Sequence, residues 1–533
     1  MNEIKKIIKR ILKMNVVVKR SDYNENNFSI ALKELVSNNP HLLDSRMGVG
    51  KRNDGKEFYR DIAKIEKGFE FLNVELDSYG RKEVKNIFEY DGFNSGTPMK
   101  TKPFPMCINN IRRMLWFDRT LYWYPSSSGS LVSKQKFLDY LIKEGFLDNK
   151  CSNYDGIGVD NIVFTCSTTH AYSMILRAIA RDEDVILMTG PNYGLFALEP
   201  ERINARVCIL DLEEEDDWYV NPDKLSKKID EINEKLKTQF KGKLPYIPKV
   251  VAFLNMNPHN PLGKVMNNKN IDILKSIGDV CLEKGVFVID DLIYRDLTFD
   301  QNDLAVPLAT FPKYFNNTIS LFGISKAYGL ASFRAGAIVA PIPICRAITA
   351  QIWQYMDSIP TPQIQAVIGA FNGSEKRYKM ARKYFKPIIS EYKYRFMLLK
   401  ALIEGIDSIS DIKLKNKIIR DIYKYEKDKE SRKYLLKGVP GVFIKKGTTP
   451  MSGFFAVIDF TKLKGKRYKD IVINDDFDLL KFLYIEGKIK CIMGKNMSWP
   501  IEDEIVARVN FGLEKHALVN NVSIINKAVR KLK

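Results

Sequence analysis

The chain has 533 residues, of which 45% are apolar, and its 84 Lys and Arg against 64 Asp and Glu give a formal net charge of +20. This length exceeds what one compact core usually holds, and the apolar content excludes a disordered or fibrous chain. No apolar run reaches the roughly 20 residues that cross a bilayer, so the sequence predicts no membrane span.

The cysteines and the positive charge indicate the surroundings of the protein. The seven cysteines are scattered and form no Cys-x-x-Cys pair, which argues against a disulfide framework or a zinc site and favours a reducing cytoplasm. The lysines are mixed with acidic residues along the whole chain. A solvated, lysine-rich surface therefore explains the charge better than a nucleic-acid groove does, and we expect no nucleic-acid partner.

Residues 1–90 read as an N-terminal extension without a chemical motif. It begins with a predicted amphipathic basic helix, whose apolar residues repeat at helical spacing at Ile4, Ile7, Ile8, Ile11 and Leu12. The segment has no continuous apolar core and no cleavage site, so we do not interpret it as a secretory signal. We expect an arm that packs on the body of the protein or on a partner subunit, with a membrane-surface helix as the alternative.

From about residue 160, short apolar runs alternate with helical stretches. Six runs read as buried strands, at 161–165, 184–191, 206–212, 249–255, 285–291 and 318–325. This alternation predicts an α/β fold with a mostly parallel sheet covered by helices on both faces. A proline-containing break at 356–365 precedes a long helical stretch, residues 404–447 resemble a charged insertion, and the end of the chain reads as a small α+β domain.

Polar residues follow several of these runs, and in a parallel sheet the functional residues gather beyond the carboxyl ends of the strands. Thr168 and Thr169 open a helix after the first run, where free N–H groups and hydroxyls can bind an anion. Hydroxyl residues are also ordinary helix caps. The run at 249–255 leads into a turn with two Asn-Pro pairs, which exposes the amide of Asn260.

The last two runs end in a carboxylate pair and in a lysine. Asp290 and Asp291 end the fifth run, with Tyr294 three residues later, while Lys326 follows the sixth run and Arg334 comes eight residues after it. Burial at the end of a strand lowers the pKa of a lysine, and the neutral amine can then form a Schiff base. Each residue alone could be a cap or a turn residue, so the ordered combination is what favours chemistry.

This ordered combination resembles the class I/II aminotransferases, the fold-type I enzymes that use pyridoxal 5′-phosphate (PLP). The resemblance is carried by Asn260-Pro261-Leu262-Gly263, by Asp291-Leu292-Ile293-Tyr294, by Ser325-Lys326-Ala327-Tyr328-Gly329-Leu330 and by Arg334-Ala335-Gly336. It covers roughly residues 90–533. It implies a large PLP-binding domain at 126–355 with a mostly parallel seven-stranded sheet, and a smaller α+β domain built from 91–125 and 356–533.

The resemblance also implies roles for residues around the cofactor. Lys326 would hold PLP as a Schiff base and move the proton during the reaction. Asp291 would pair with the ring nitrogen, Tyr294 and Asn260 would bond the ring oxygen, and Tyr193 would stack on the ring. The phosphate would be held by Thr168, Thr169, Ser325 and Arg334. No metal is expected.

For the substrate, the resemblance implies that Arg508 pairs with an α-carboxylate and that the backbone of Gly96 lines the same pocket. Tyr124 would reach the phosphate of a neighbouring subunit, which implies a homodimer with a shared active site. The implied activity is the exchange of an amino group between an L-amino acid and a 2-oxo acid.

Three positions depart from the family pattern, and a second histidine, His259, stands beside Asn260. Gly323 stands where many members have a phosphate-binding serine, and Ser167 replaces a usual glycine. His170 occupies a position where Glu or Gln is frequent, and we expect it to be a cap or a phosphate-side hydrogen-bonding residue. His259 is expected to be a turn residue.

The cofactor motifs leave two further functions open. A PLP-dependent lyase or amino-acid β-decarboxylase of the same fold needs the same electron sink. A transcription regulator that senses PLP is less favoured, because it would need a winged-helix pattern in residues 1–90, where no clear recognition helix occurs.

Overall fold

The computed structural model describes residues 92–117, 121–150 and 154–533, together with Lys67 and Phe71. All of them lie within one compact unit, Arg52–Lys533. The predicted basic helix at the N-terminus and nearly all of the 1–90 extension lie outside the described residues. The domain boundaries proposed from the sequence stay predictions.

Seven strands form the central sheet. They are β1 Ile162–Thr165, β2 Val185–Gly190, β3 Arg206–Asp211, β4 Val250–Met256, β5 Phe287–Asp291, β6 Thr318–Gly323 and β7 Gly336–Val339. Their order is β1-β7-β6-β5-β4-β2-β3, and β7 runs antiparallel to both of its neighbours while the other pairs are parallel. The predicted mostly parallel, seven-stranded sheet is confirmed. Each of the six apolar runs overlaps one strand, and β7 is the strand that no run predicted.

Helices cover both faces of this sheet. They are α1 Pro105–Phe117, α2 Leu131–Lys143, α3 Thr168–Ile179, α4 Gly194–Leu198, α5 Pro222–Phe240, α6 Ile271–Glu283, α7 Pro312–Phe315, α8 Ile342–Met356 and α9 Thr361–Ala370. Phe322 on β6 packs against Phe137 of α2, with ring centroids 5.6 Å apart. The next residue, Gly323, faces Thr168 at the start of α3. Because successive residues of a strand point to opposite faces, α2 and α3 lie on opposite sides of the sheet.

The C-terminal part combines a second sheet with helices. Strands β8 Phe443–Ile444, β9 Phe455–Asp459, β12 Ile492–Met493 and β13 Val506–Asn510 form an antiparallel sheet in the order β12-β13-β9-β8, and β10 Arg467–Tyr468 pairs with β11 Ile471–Val472. The helices are α10 Glu375–Glu404, α11 Ile412–Tyr425, α12 Lys429–Lys437, α13 Asp476–Gly487 and α14 Lys515–Val529. Residues 404–447, which the sequence predicts to be a charged insertion, contain α11, α12 and β8. The antiparallel sheet and its helices confirm a smaller α+β part.

The last residue of β13 ties residues 93–97 to the second sheet. The backbone N–H of Asn510 donates to the carbonyl of Phe93 (3.0 Å), and the Asn510 amide donates to the carbonyls of Ser95 (3.0 Å) and Thr97 (2.8 Å). This holds Gly96 in place between Ser95 and Thr97.

Among the described helices, none combines the length and apolar composition needed to span a bilayer.

Candidate active site

The two carboxylates at the end of β5 have different surroundings. Asp290 accepts hydrogen bonds from the Asn255 amide (2.9 Å) and from the backbone N–H of Leu308 (3.0 Å). Asp291 accepts one from the backbone N–H of Ile293 (3.1 Å) and interacts electrostatically with Lys326. Burial raises the pKa of Asp290 to about 7 and that of Asp291 to about 6. Asp290 is therefore bonded to neighbouring parts of the fold, and Asp291 is the carboxylate that interacts with the lysine.

Lys326 is a buried amine close to the end of β6. Its Nζ donates to the carbonyl of Gly96 (2.8 Å), and a Cβ added to Gly96 would lie 3.8 Å from this nitrogen. Burial, together with the positive charges of Arg508 and Arg334, lowers the pKa of Lys326 to about 8, and Asp291 opposes this shift. At pH 7 about a tenth of this amine is therefore uncharged, far more than for an ordinary lysine with a pKa of about 10.4, and a Schiff-base nucleophile requires the uncharged form.

Arg508, in the middle of β13, is a buried cation with incompletely used donors. Its guanidinium lies 4.1 Å from the ring centroid of Phe455, Nη1 donates to Asn260 Oδ1 and Nη2 to the carbonyl of Asn94, both at 3.4 Å. The buried Nε has no hydrogen-bond partner. In the part of the chain that the structure describes, no ion pair joins Arg508 to a carboxylate. Since a buried, unpaired charge is costly, this site is suited to an anion.

Two phenols flank Arg508 and interact with it electrostatically. Tyr294 packs against the rings of Phe454 and Phe455, with centroids 5.7 Å and 6.2 Å away. Burial raises the pKa of Tyr294 and of Tyr193, and the charge of Arg508 opposes this shift without reversing it. Both therefore remain neutral hydrogen-bonding groups at physiological pH.

The start of α3 supplies a second positive region. Ser167 caps the helix by accepting from the backbone N–H of His170 (3.3 Å), and its φ of 106° is a conformation that favours glycine. A glycine, which the resemblance implies at this position, would adopt this φ without strain. Thr168 is buried and Thr169 is exposed. Nδ1 of His170 accepts from the backbone N–H of Cys166 (3.1 Å), so this histidine completes the turn.

Arg334 and Ser325 lie on the segment between β6 and β7. Arg334 is exposed, and its Nη1 donates to the carbonyl of Ala331 (3.0 Å). Its charge affects the pKa of Lys326, Tyr193 and Cys166, so it lies near all three. Ser325 is buried next to the lysine.

Gly323 has no room for a side chain. An added Cβ would clash with Ile293 Cδ1 and would lie 2.9 Å from Thr168 Cγ2. The space for the serine side chain that the resemblance implies here is thus filled by two neighbouring side chains.

His259 connects two of the turns at the edge of the sheet. Its Nε2 lies 3.0 Å from Thr189 Oγ1, and the Thr189 hydroxyl lies 3.1 Å from the carbonyl of Pro191. Because a hydroxyl has one proton, a hydroxyl that donates to Pro191 accepts from His259. Burial lowers the pKa of His259 to about 3, so the ring is neutral.

Tyr124, which was predicted to belong to the site, lies on the surface of the chain instead of beside Lys326. It is 79% exposed, next to the exposed side chains of Tyr122 and Trp123. Conversely, sequence reasoning missed Asn510 and Phe455. Asn510 could have been found, because it lies two residues after Arg508 and therefore on the same side of the strand. Within the described residues, no group of three His, Cys, Asp or Glu side chains is arranged to hold a metal ion.

A family model decides the relationship to known proteins. The model described as aminotransferase class I and II matches residues 123–414. The chain belongs to this family. It is 20% identical over 264 residues to the aspartate aminotransferase of Geobacillus stearothermophilus, covering 49% of this chain and 60% of that one. It is 29% identical over 192 residues to the cystathionine beta-lyase PatB of Bacillus subtilis, covering 36% and 45%.

The chain thus spans about half of the length of these curated relatives. Among solved structures, the aspartate aminotransferase from Rhizobium meliloti superposes with a TM-score of 0.64 and 14% identity, over 92% of this chain and 99% of that one. At this identity the superposition establishes the fold of the aminotransferase family for this chain.

Proposed function

We propose that this protein is a PLP-dependent aminotransferase that moves an amino group between an L-amino acid and a 2-oxo acid. The observation that carries the proposal is the set of charges around Lys326. A buried amine with a pKa of about 8 lies beside one buried carboxylate, Asp291, and near a buried guanidinium, Arg508, that has no carboxylate partner among the described residues.

The residues fit the chemical groups of PLP. The carboxylate of Asp291 would pair with the ring nitrogen, Asn260 and Tyr294 would bond the ring oxygen, and Tyr193 would cover a ring face. The phosphate would be held by Thr168, Thr169, Ser325 and Arg334. Arg508 has a buried Nε without a partner, and a substrate carboxylate could accept a hydrogen bond from it. Arg334 is exposed and could bind the phosphate of PLP.

Bound PLP would supply an electron sink for the carbanion formed at the substrate Cα. Lys326 would take up and return the Cα proton, and its lowered pKa lets it act as a base near neutral pH. Asp291 would keep the ring nitrogen protonated. Arg508 would orient the amino acid through two parallel N–H donors to the α-carboxylate, with the Gly96 backbone on the other side of the pocket.

We further propose a homodimer with a shared active site in the cytoplasm. Its support is a run of exposed aromatic side chains that includes Tyr124, with Trp116, Phe117, Tyr122 and Trp123 each 71–81% exposed. Contiguous exposed apolar surface of this kind marks interaction sites. Six free cysteines among the described residues agree with a reducing compartment. Sedimentation of the purified chain would test the dimer, and a monomer at micromolar concentration would contradict it.

A second function, a PLP-dependent lyase, is favoured by the resemblance to PatB. A half-reaction screen separates the two functions. PLP-loaded protein is mixed with single amino acids, and the spectrum is followed for conversion of the bound pyridoxal form to the pyridoxamine form. An aminotransferase converts stoichiometrically and releases a 2-oxo acid. A β-lyase instead releases ammonia and pyruvate over many turnovers, and a β-decarboxylase releases carbon dioxide, in both cases without stable conversion.

A further inference from the structure

The two turns that carry Tyr294 and Lys326 continue into polar residues that bond to each other. Asp296 follows Tyr294 by two residues, and Tyr328 follows Lys326 by two residues. The hydroxyl of Tyr328 donates to Asp296 Oδ2 (2.8 Å), and Arg377 Nη2 donates to the Tyr328 hydroxyl (2.8 Å). All three side chains are buried. We call Asp296, Tyr328 and Arg377 the Tyr328 bridge.

The bridge is anchored in helices outside the candidate site. Arg377 lies in the first turn of α10, its Nε donates to the carbonyl of Ala370 at the end of α9 (2.7 Å), and its guanidinium lies 4.9 Å from the ring centroid of Tyr140 on α2. Arg295, next to Asp296, forms a buried ion pair with Glu144 (2.6 Å). The helices therefore hold one end of the bridge rigidly.

The lysine turn is also held from its other side. The carbonyl of Tyr328 accepts from the backbone N–H of Phe104 (3.0 Å), and a Cβ added to Gly329 would lie 3.2 Å from the carbonyl of Lys102. This places the turn between the Asp296 side chain and residues 102–104, a few residues beyond Gly96, whose carbonyl receives the lysine Nζ. A shift of the Tyr328 hydroxyl would therefore shift the lysine relative to Gly96 and Tyr294.

We propose that Tyr328, through Asp296 and Arg377, is a positioning residue that fixes the Lys326 amine relative to Tyr294. This inference rests on the proposed function, because it assigns the bridge to the proton-transfer step of Lys326. A misplacement of about 1 Å can lower a rate about a hundredfold. Removing the hydroxyl should therefore lower the rate of conversion at saturating amino acid by roughly ten- to a hundredfold. The half-saturating concentration should stay unchanged, since Arg508 is untouched.

Tyr328→Phe is the test variant, and Tyr378→Phe is its matched control. Phenylalanine keeps the ring of residue 328, whose edge contacts with Phe371 and Phe385 have centroid distances of 5.2 Å and 5.4 Å. Tyr378 lies next to Arg377, and its hydroxyl donates to Glu144 Oε1 (2.7 Å), whose other oxygen pairs with Arg295, so Tyr378 reaches the 292–297 turn only through a second side chain. Each variant loses one hydroxyl, but Tyr328→Phe removes two buried hydrogen bonds and Tyr378→Phe removes one, so Tyr328→Phe should lower the unfolding midpoint more.

Three measurements are made on wild type and both variants. They are the unfolding midpoint, the rate of pyridoxal-to-pyridoxamine conversion against amino-acid concentration, and amide hydrogen exchange of the PLP-free chain. We expect faster exchange of the turns at 292–297 and 324–329 and a slower conversion in Tyr328→Phe alone. Asp296→Asn keeps an oxygen acceptor for the Tyr328 hydroxyl and should retain a rate close to wild type, whereas Asp296→Ala should behave like Tyr328→Phe.

Equal rates and equal exchange in Tyr328→Phe and Tyr378→Phe would overturn the inference and leave the bridge a structural element only. If Tyr328→Phe does not fold, the pair Asp296→Asn and Asp296→Ala decides, and equal rates in that pair overturn the inference. A wild-type chain that converts no amino acid would contradict the proposed function instead. In that case the exchange comparison in the PLP-free chain still shows whether the Tyr328 hydroxyl fixes the lysine turn.

Discussion

Replacing Arg508 by lysine tests the proposed carboxylate site, because lysine keeps the charge and loses the planar pair of donors. Truncating one partner of a buried, hydrogen-bonded charge pair costs roughly 2–5 kcal/mol. Since the charge remains, we expect the lower part of this range, about 2–3 kcal/mol, which corresponds to a roughly 30- to 150-fold rise in the half-saturating amino-acid concentration. The geometry supports this magnitude, since Arg508 is buried over Phe455 with Nε free of partners.

The assay is the amino-acid concentration dependence of the pyridoxal-to-pyridoxamine conversion, with PLP affinity measured separately. PLP affinity should not change, since the phosphate is assigned to the other end of the site. Arg206→Lys is the matched control. Arg206 is a fully buried arginine that pairs with Glu183 at the amino end of β3, away from the carboxyl edge, and its replacement should lower stability alone. An unchanged half-saturation in Arg508→Lys would remove Arg508 from the site and, with it, the main reason to expect an α-amino-acid substrate.

Three further predictions concern the cofactor end of the site. In the PLP-free chain, condensation of Lys326 with pyridoxal should rise with pH to a midpoint near 8, because burial lowers the pKa, and Lys326→Ala should abolish the near-visible absorption of lysine-bound cofactor. Asp291→Asn should retain PLP and lose most of the conversion rate. It should also lower the pH midpoint of the condensation, since a negative charge that favours the ammonium form of Lys326 is removed. Asp290→Asn should mainly lower the unfolding midpoint. Gly323→Ser should destabilise the chain by about 1–3 kcal/mol in denaturant unfolding, because its Cβ meets Ile293, and a variant as stable as wild type would contradict this steric argument.

The central sheet was predictable because its strands are buried on both faces and therefore read as continuous apolar runs. The strand that was not predicted, β7 Gly336–Val339, has only four residues and begins two residues after Arg334. Its short apolar run is therefore hard to distinguish from the preceding turn. Pattern alone also placed Asp290 and Asp291 on opposite faces of β5. The pattern could not predict which of the two carboxylates lies on the same face as Lys326, because that depends on how β6 and the turn after it pack against β5.

The remaining features of the site depend on residues far apart in the sequence. Asn510 bonds to carbonyls more than 400 residues earlier, and Tyr328 meets Asp296 and Arg377 at separations of 32 and 49 residues. No local pattern records such pairs, since tertiary packing creates them. Tyr124 is a different case, because its predicted role needs a second subunit, and that role stays a prediction.

The charges of the site connect its stability with its ligands. The positive charges of Arg508 and Arg334 act on Lys326 and lower its pKa, with Asp291 as the opposing carboxylate. Burial is the largest cause of the lowered pKa of Lys326, and repulsion from the two arginines adds to it. A phosphate at the Arg334 end and a carboxylate at the Arg508 end would each neutralise one of the two arginines. Lys326 would then experience less repulsion, so its basicity should rise once both anions are bound. The same arrangement would thus keep the amine nucleophilic while the site is empty and make it a stronger base when cofactor and substrate are in place.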